Sequence, residues 1–267
     1  MGKMLALTLV VITAASAYPI LAHVWAPPAN IAVHGSLIDE QMSDTMVEAG
    51  VCFVAAQLIL AGFIWTATSR TAQDRIRNFP GGAKALVSAA ILLVALEVLA
   101  LGFFGSKAWA EIYFHPAGPG SIPIQVQAGQ FAFYFRYAGP DGKFGPIHPD
   151  KIDEANQNFF GLDVDHDGDS KDDIVTAEMA VPVNQEIQLL LHAKDVGHSF
   201  YVRELRMQQD FVPGLDLSLH FTATRIGRYE IVCTQLCGLG HYNMRAYLSV
   251  LSQADYENWL QKQAALQ

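Results

Sequence analysis

The sequence predicts a membrane-anchored all-β protein in which N-terminal transmembrane helices precede an antiparallel β-sandwich. Three observations lead to this fold class. The chain is 51% hydrophobic and only 16% charged, which is unusually apolar for a soluble protein. Three nearly uncharged segments lie in residues 1–115. Short runs with β character, separated by Pro-Gly and other Gly-containing turns, fill the rest of the chain.

The three apolar segments are residues 4–25, 49–68 and 85–105, each about 20 residues long and therefore able to cross a bilayer as a helix. The first also resembles a signal peptide, because Lys3 precedes it and Ala-Ser-Ala at 15–17 is typical of a cleavage site. The apolar character continues past that site, which favours a retained helix.

The charges beside these segments predict the orientation of the chain. The loop after the second segment contains Arg70, Arg75, Arg77 and Lys84, whereas the loop before that segment contains acidic residues and no Lys or Arg. Basic loops remain in the cytoplasm, so we expect residues 106–267 on the external side, in the periplasm of a bacterium. The sequence thus predicts a multi-pass protein of a bacterial inner membrane.

We expect four parts: a transmembrane helix or signal-like segment at 1–25, a transmembrane hairpin at 26–115, a β-sandwich at 116–252 and a C-terminal helix at 253–267, capped by Ser252. Nearly all of the net charge of −9 lies after residue 115. An acidic domain repels phosphate groups, so we expect no nucleic-acid partner. The predicted strands are 122–127, 131–137, 187–192, 217–222, 229–233 and 245–251.

The stretch from Cys233 to Met244 contains two thiols, an imidazole and a thioether within twelve residues, and His198 lies upstream at the end of a predicted strand. Soft sulfur ligands beside imidazole suit copper. Cys233 and Cys237 can bridge two metal ions through both sulfurs, with His198 and His241 as terminal ligands. Met244 and a backbone carbonyl remain as weak axial ligands. The pattern predicts a binuclear copper site for electron transfer.

Two other readings of these residues remain open. Cys233 and Cys237 can form a disulfide in an oxidising compartment, or the two cysteines and two histidines can bind zinc. A disulfide leaves both histidines without a role, and zinc has no use for the thioether of Met244. Copper is therefore the favoured interpretation.

The order of His198 and the motif C-x3-C-G-x-G-H-x2-M, after a membrane hairpin, is similar to subunit II of cytochrome c oxidase. The likeness runs from about residue 49 to 260 and includes 194–200 and 208–214. This resemblance implies a cupredoxin-like sandwich on two transmembrane helices, so the first apolar segment is an addition to the family pattern.

The resemblance also implies a function. A binuclear copper A centre takes electrons from cytochrome c and passes them to haem in subunit I, where oxygen is reduced to water and protons are translocated. The chain would be an enzyme only as part of a membrane complex with subunit I and other oxidase subunits, with no catalytic residue of its own. The ligands that it implies are His198, Cys233, the carbonyl of Gln235, Cys237, His241 and Met244.

Two related functions are weighed beside it. The small copper A subunit of a nitric oxide reductase remains an alternative, because the chemistry on oxygen or nitric oxide belongs to the partner subunit. A quinol oxidase subunit keeps the fold without copper, and the intact Cys233, Cys237 and Met244 argue against it.

The chain departs from the family pattern at two positions. Phe131 stands where the family usually has a tryptophan on the strand that cytochrome c approaches, so electron entry is assigned to Phe131, Phe133 and Tyr134. The alternative is that these are alternating core and surface residues of a strand. Gln235 replaces a glutamate that helps to bind magnesium in the family, so we expect any magnesium to be held more weakly here.

Asp163, Asp165, Asp167 and Asp169 belong to an acidic loop with the D-x-D-x-D-G start of a calcium loop. Position twelve of that loop is Ile174 rather than a bidentate glutamate, so a true EF-hand is excluded. The four aspartates are a candidate for a looser calcium site. The alternative is a solvated acidic turn that attracts a basic cytochrome c.

Overall fold

The computed structural model describes residues 1–24, 26–66 and 82–266. Its first part consists of three long helices, α1 (Gly2–Leu21), α2 (Gly35–Thr66) and α3 (Gly82–Tyr113). All three are long and apolar enough to cross a membrane. The loop that is predicted to be cytoplasmic, with Arg70, Arg75 and Arg77, lies outside the described residues.

α2 and α3 extend well beyond the predicted apolar segments. Each has 32 residues, which corresponds to about 48 Å of helix. The hydrocarbon core of a bilayer is only about 30 Å thick, so both helices continue into the polar layer. In α2 the additional turns contain Asp39, Glu40, Asp44 and Glu48. The sequence pattern missed these turns because their residues are polar rather than apolar.

The second part is a β-sandwich of two five-stranded sheets, as described for residues 109–266. One sheet has the order β3-β2-β1-β5-β8 and the other the order β4-β10-β9-β6-β7. The predicted fold class, transmembrane helices followed by a β-sandwich, is confirmed. The strands are β1 (Ile122–Gly129), β2 (Ala132–Tyr137), β3 (Ile174–Thr176), β4 (Met179–Pro182), β5 (Glu186–Ala193), β6 (His198–Val202), β7 (Met207–Phe211), β8 (Leu217–Thr222), β9 (Gly227–Val232) and β10 (Arg245–Leu251).

The strands differ from the prediction in their pairing, in their number and in the position of His198. Most neighbours are antiparallel, but β1 pairs with β5 and β4 with β10 in parallel. β3, β4, β6 and β7 were not predicted. His198 begins a strand rather than ending one, because the chain turns through 194–197 before β6 starts. This places the histidine at one end of the sandwich.

The core lies between the two sheets and follows the alternation of a half-buried strand. In β5 every second residue is buried, including Ile187, Leu189 and Leu191. In β2 the ring of Phe133 is 1% exposed and contacts Phe211 with a centroid distance of 6.0 Å. The packing of these apolar side chains is the main stabilising contribution to the domain.

A buried ion pair ties a long loop to β2. Arg136 and Asp173 are both fully buried, and the Arg136 Nε donates to Asp173 Oδ2 at 3.0 Å. The same guanidinium donates to Gln125 Oε1 at 2.9 Å and to the carbonyl of Gly145 at 2.7 Å. Burial lowers the pKa of Arg136 and raises that of Asp173, while their contact opposes both shifts. The pair anchors residues 138–173, which include the acidic loop and its single turn of helix, α4 (Gly168–Lys171).

The linker between α1 and α2 is part of the β-domain. Residues 28–36 group with 109–267, and Ala32 forms an isolated antiparallel bridge with Ala223. The Val33 N–H donates to the Thr222 carbonyl at 3.1 Å, just at the end of β8. The linker therefore covers the outer edge of β8.

The chain ends in α5 (Gln253–Ala264), whose N-cap is Ser252. The Ser252 Oγ accepts a hydrogen bond from the Asp255 N–H at 3.2 Å, which satisfies one of the free donors at the helix start. Tyr256 is buried, and Trp259 packs edge-on against Tyr137 with a centroid distance of 5.3 Å. This helix is therefore anchored to the sandwich.

Candidate metal centre

The donors come from one loop and one neighbouring strand. The loop from Cys233 to Met244 joins β9 to β10, and the Cys233 N–H donates to the Met244 carbonyl at 3.2 Å, which closes the loop at its base. β6 pairs with β9 through Tyr201 and Val232. The start of β6, with His198, is therefore brought beside the loop.

The loop is tightly folded at two glycines. Gly238 has φ of +134°, a conformation that strongly favours glycine. A side chain at Gly240 would collide with the ring of Phe131, which packs directly on the loop. Gln130, in the turn between β1 and β2, donates to the Cys237 carbonyl at 2.6 Å. The β1–β2 turn thus holds the loop in place from outside.

The sulfur atoms converge within the loop. The Sγ atoms of Cys233 and Cys237 lie 3.9 Å apart, and the Cys237 Sγ lies 3.8 Å from the Met244 Sδ. The Nδ1 of His241 is 3.6 Å from the Cys237 Sγ, and the carbonyl of Gln235 is 3.1 Å from the Cys233 Sγ. The two cysteines and Met244 are buried. This is a compact set of soft donors shielded from water.

His198 completes the set from β6. Its ligand atom and the sulfurs of Cys233 and Cys237 all lie within 4.8 Å of one another. The Nε2 of His198 contacts Asp195 Oδ1 at 2.7 Å, whereas its Nδ1 is buried and has no hydrogen-bond partner among the described residues. A metal-binding imidazole typically has one nitrogen held by a carboxylate and the other free for the ion. His198 fits that arrangement.

The acceptor beside His198 is itself held rigidly. Asp195 accepts hydrogen bonds from the N–H groups of Gln130 at 2.8 Å and Val196 at 2.7 Å. Burial raises the pKa of Asp195, but the bonds from His198, Gln130 and Val196 outweigh it and lower the pKa overall. Asp195 therefore remains ionised and fixes the orientation of the His198 ring. The sequence did not assign this role.

The two cysteines are free thiols. Their separation of 3.9 Å is about twice the length of a disulfide bond. Burial, with a further contribution from Cys233, raises the pKa of Cys237 to about 11. A metal ion must therefore displace the proton of Cys237 when it binds. Soft sulfur donors with imidazole fit copper, and the nearby thioether of Met244 fits copper better than zinc.

The three aromatic residues assigned to electron entry lie in different environments. Phe131 is 40% exposed and packs on the loop. Phe133 is 1% exposed and belongs to the core between the two sheets. Tyr134 is half-buried and stacks on Phe159 with a centroid distance of 3.6 Å. Of the three, Phe131 is the one in contact with the metal-binding loop.

The acidic loop does not assemble a cluster of carboxylates. Asp163 contacts Lys151 and lies 2.9 Å from the Nδ1 of His166, and these contacts lower its pKa to about 2. Asp167 accepts a hydrogen bond from the Ser170 hydroxyl. Among the described residues, the group whose metal-binding atoms converge is His198 with the two cysteines. Asp163 and Asp167 are therefore engaged in local contacts, and the calcium site and the solvated acidic turn both stay predictions.

The loop also presents an apolar surface that sequence reasoning missed. Leu236 is 78%, Leu239 96% and Tyr242 88% exposed, and all three lie between or beside the donor residues. We call these three side chains the loop face. The signal was present in the sequence, since large apolar residues are unusual in an exposed Gly-rich loop. Exposed apolar patches of this kind mark protein contact sites.

The fold and the donor set define a β-sandwich domain of the cupredoxin-like class that follows three apolar helices and has a cluster of soft donor atoms at one end. Residues 159–250 match the family model described as "Cytochrome C oxidase subunit II, periplasmic domain". The resemblance of the chain to cytochrome c oxidase subunit II is thereby confirmed, and this family is copper-binding.

Individual relatives are also named as subunit 2 of cytochrome c oxidases. The chain is 29% identical over 241 residues to "Alternative cytochrome c oxidase subunit 2" of Bradyrhizobium diazoefficiens, a match that covers 90% of this chain and 83% of that protein. It is 41% identical over 93 residues to "Cytochrome c oxidase subunit 2" of Thermostichus vulcanus, covering 35% of this chain and 28% of the relative. The crystal structure of the periplasmic domain of subunit II of cytochrome oxidase of Bradyrhizobium japonicum is 24% identical, with a TM-score of 0.42, and covers 57% of this chain and 99% of that domain.

Proposed function

We propose that the chain is the copper-carrying subunit II of a respiratory haem-copper oxidase. In this role it accepts electrons from cytochrome c and passes them to haem in subunit I, for the reduction of oxygen to water coupled to proton translocation. The main support is the buried donor set, in which the free Nδ1 of His198 and two thiols 3.9 Å apart converge beside Met244. The names of the relatives support the same function.

Six residues would hold a binuclear copper A centre. The thiolates of Cys233 and Cys237 would supply the charged sulfur donors, and the other four residues would complete the set. When bound, such a copper pair supplies a one-electron carrier with little rearrangement on each transfer. The full set is His198, Cys233, the carbonyl of Gln235, Cys237, His241 and Met244.

The contribution of the protein is to fix these donors before the metal arrives. Asp195 holds the Nε2 of His198, which leaves the buried Nδ1 available to a metal ion. The base of the loop is closed by the Cys233–Met244 backbone hydrogen bond, and Phe131 and Gln130 press on its outside. A rigid, dry donor set keeps its geometry as the charge of the site changes.

We assign the docking of the electron donor to two features that act at different ranges. The acidic domain attracts a basic cytochrome c over distances set by the ionic strength. The loop face and Phe131 offer apolar contact at short range. Asp195 is already engaged with His198 and is 28% exposed, so we place the charge contribution on the domain as a whole.

The proposal places the protein in a bacterial inner membrane as a multi-pass subunit. Residues 1–25 and 26–115 would form the membrane part, 116–252 the periplasmic copper domain and 253–267 its terminal helix. Its partners would be subunit I, other oxidase subunits and cytochrome c. Gln235 is exposed and neutral, so any magnesium at the subunit boundary would depend on carboxylates of the partner.

The test uses the complete oxidase purified from membranes with this chain. We expect oxygen uptake driven by reduced cytochrome c, and loss of that uptake in a Cys237→Ser variant. Cys52→Ser is the matched control, because Cys52 is an exposed thiol in α2 outside the donor set. Unchanged oxygen uptake in Cys237→Ser contradicts the proposal. Uptake of nitric oxide in place of oxygen assigns the chain to a nitric oxide reductase instead.

A further inference from the structure

Two donors of the candidate metal centre come from elements that the sheet joins at one point. Cys237 lies in the loop after β9, whereas His198 begins β6. In the described part of the chain, the ladder between these two strands consists of a single pair of residues, Tyr201 and Val232. His198 lies three residues before this pair and Cys237 five residues after it. The strand pairing by itself therefore does not fix the separation of the two donors.

Gln130, in the turn between β1 and β2, contacts both sides of the site. Its backbone N–H donates to Asp195 Oδ2 at 2.8 Å, and its side-chain Nε2 donates to the Cys237 carbonyl at 2.6 Å. The other oxygen of Asp195 contacts the Nε2 of His198 at 2.7 Å. A continuous chain of hydrogen bonds therefore runs from the His198 ring to the backbone of Cys237.

The two ends of this chain meet again at the donor atoms. The ligand atom of His198 and the Sγ of Cys237 lie within 4.8 Å of each other. The hydrogen bonds through Gln130 therefore close a ring of contacts that includes both donors. Loss of one of these bonds opens the ring, and the separation of the donors can then vary.

The surroundings of Gln130 hold it against the loop. A Cβ atom at Gly238 would lie only 2.8 Å from the Gln130 Nε2, so the amide lies directly on the loop backbone. Gly238 allows this close approach because it has no side chain, and its φ of +134° also favours glycine. At the other end of the chain, Asp195 accepts a further bond from the Val196 N–H at 2.7 Å. Both ends of the connection are thus fixed.

We propose that Gln130 is a positioning residue of the metal centre, whose backbone holds the His198 side and whose side chain holds Cys237. This inference rests on the proposed copper function. Outer contacts of this kind keep metal ligands in place, and their loss typically lowers metal affinity by about 10–100-fold. The amide N–H also directs the positive end of its dipole at the Cys237 backbone. It therefore stabilises the reduced state of the centre, which carries one more negative charge, and raises the reduction potential.

The experiment uses the full chain in detergent, loaded with copper. Gln130→Met keeps the length of the side chain and the backbone bond to Asp195, and removes only the side-chain donor. We expect copper affinity against a competing chelator to fall by about 10–100-fold, and the reduction potential to shift to lower values. Gln185→Met is the matched control, because the Gln185 Nε2 makes the same kind of bond, to the Gly120 carbonyl at 2.8 Å, outside the donor set. It should keep the affinity and the potential of the parent.

A double variant tests whether one frame holds both sides of the site. Asp195→Asn combined with Gln130→Met should lose less affinity than the product of the two separate losses, because either substitution alone opens the ring. Losses that multiply would show two independent contacts and overturn the inference.

The remaining outcomes separate a positioning role from a structural one. The metal-free Gln130→Met chain should unfold at the temperature of the parent. A lower unfolding temperature with an unchanged reduction potential would assign Gln130 to the stability of the fold instead. A parent that binds copper, with equal retention and potential in Gln130→Met and Gln185→Met, overturns this inference alone. A parent that binds no copper overturns the proposed function as well.

Discussion

The Nε2 of His198 lies 2.7 Å from the Oδ1 of Asp195, while the opposite nitrogen of the same ring is buried and has no hydrogen-bond partner among the described residues. The carboxylate and the ring are three residues apart at the start of β6. This contact decides which nitrogen of His198 is available to a metal. It links the turn before β6 to the properties of the copper site.

Removing the charge of Asp195 should weaken the site without removing a donor. For Asp195→Asn we expect copper affinity to fall by about 10–100-fold, because the ring loses its orienting carboxylate. The measurement is copper retention against a competing chelator. Asp216→Asn is the control, since that side chain is 91% exposed and contacts a histidine away from the cluster. Equal retention in both variants would show that Asp195 does not position His198.

Copper uptake should depend on pH. The raised pKa of Cys237, about 11, means that its thiol is protonated at neutral pH and loses that proton to bind copper. The apparent affinity should therefore rise with pH, by about tenfold per pH unit for each proton released. Titration of apoprotein with copper between pH 6 and about 8 measures the slope. Met244→Leu should keep the slope, because a thioether carries no proton, and a flat profile would contradict thiolate ligation.

The buried Arg136–Asp173 pair should be costly to break. Asp173→Ala leaves a buried guanidinium without its partner, and we expect the free energy of unfolding to fall by about 3–5 kcal/mol. The exposed pair of Arg245 and Glu230 is a suitable comparison, since Glu230→Ala should cost at most about 1 kcal/mol. Thermal or urea unfolding of the two variants measures the difference. Similar losses in both would mean that the buried pair does not anchor the loop.

Two of the strands that the sequence predicted, β5 and β10, show a clear alternation of buried and more exposed residues. Period-two patterning therefore identified them. β4 is buried at every position and β6 at four of its five, and such short continuous runs carry no alternation. The parallel pairing of β1 with β5 depends on contacts far apart in the chain. Local sequence patterns therefore do not predict this pairing.

In the candidate site, too, local sequence predicts one part and only the folded structure reveals the other. The spacing from Cys233 to Met244 predicts the loop donors, because they are neighbours in sequence. The roles of Asp195 and Gln130 depend on which residues meet across the fold. The linker at 28–36 had no periodic pattern, so its contact with β8 was not predicted.

The docking of cytochrome c should respond differently to substitutions of apolar residues and of charged residues. Leu239→Ser and Tyr242→Ser should raise the KM for cytochrome c without altering its salt dependence, because the loop face acts at short range. Phe131→Leu should slow turnover only modestly. Neutralising several exposed acids should flatten the salt dependence. Stopped-flow oxidation of cytochrome c at several salt concentrations measures both effects.

Val164→Ser is the control for the loop face, since Val164 is 52% exposed on the acidic loop. It should behave as the parent protein. A rate that is insensitive to salt would mean that the electron donor is neutral, acidic or permanently attached. A KM unchanged by both loop-face variants would remove the apolar contact from the docking proposal.

The central claim is tested most directly by counting the copper ions on the purified full chain and on three variants of its sulfur donors. The account predicts two coppers per chain with thiolate-to-copper absorption, loss of that centre in Cys233→Ser and in Cys237→Ser, and retention of copper in Met244→Leu with a changed reduction potential. One copper per chain, or zinc taken up in preference to copper with no such absorption, would contradict it.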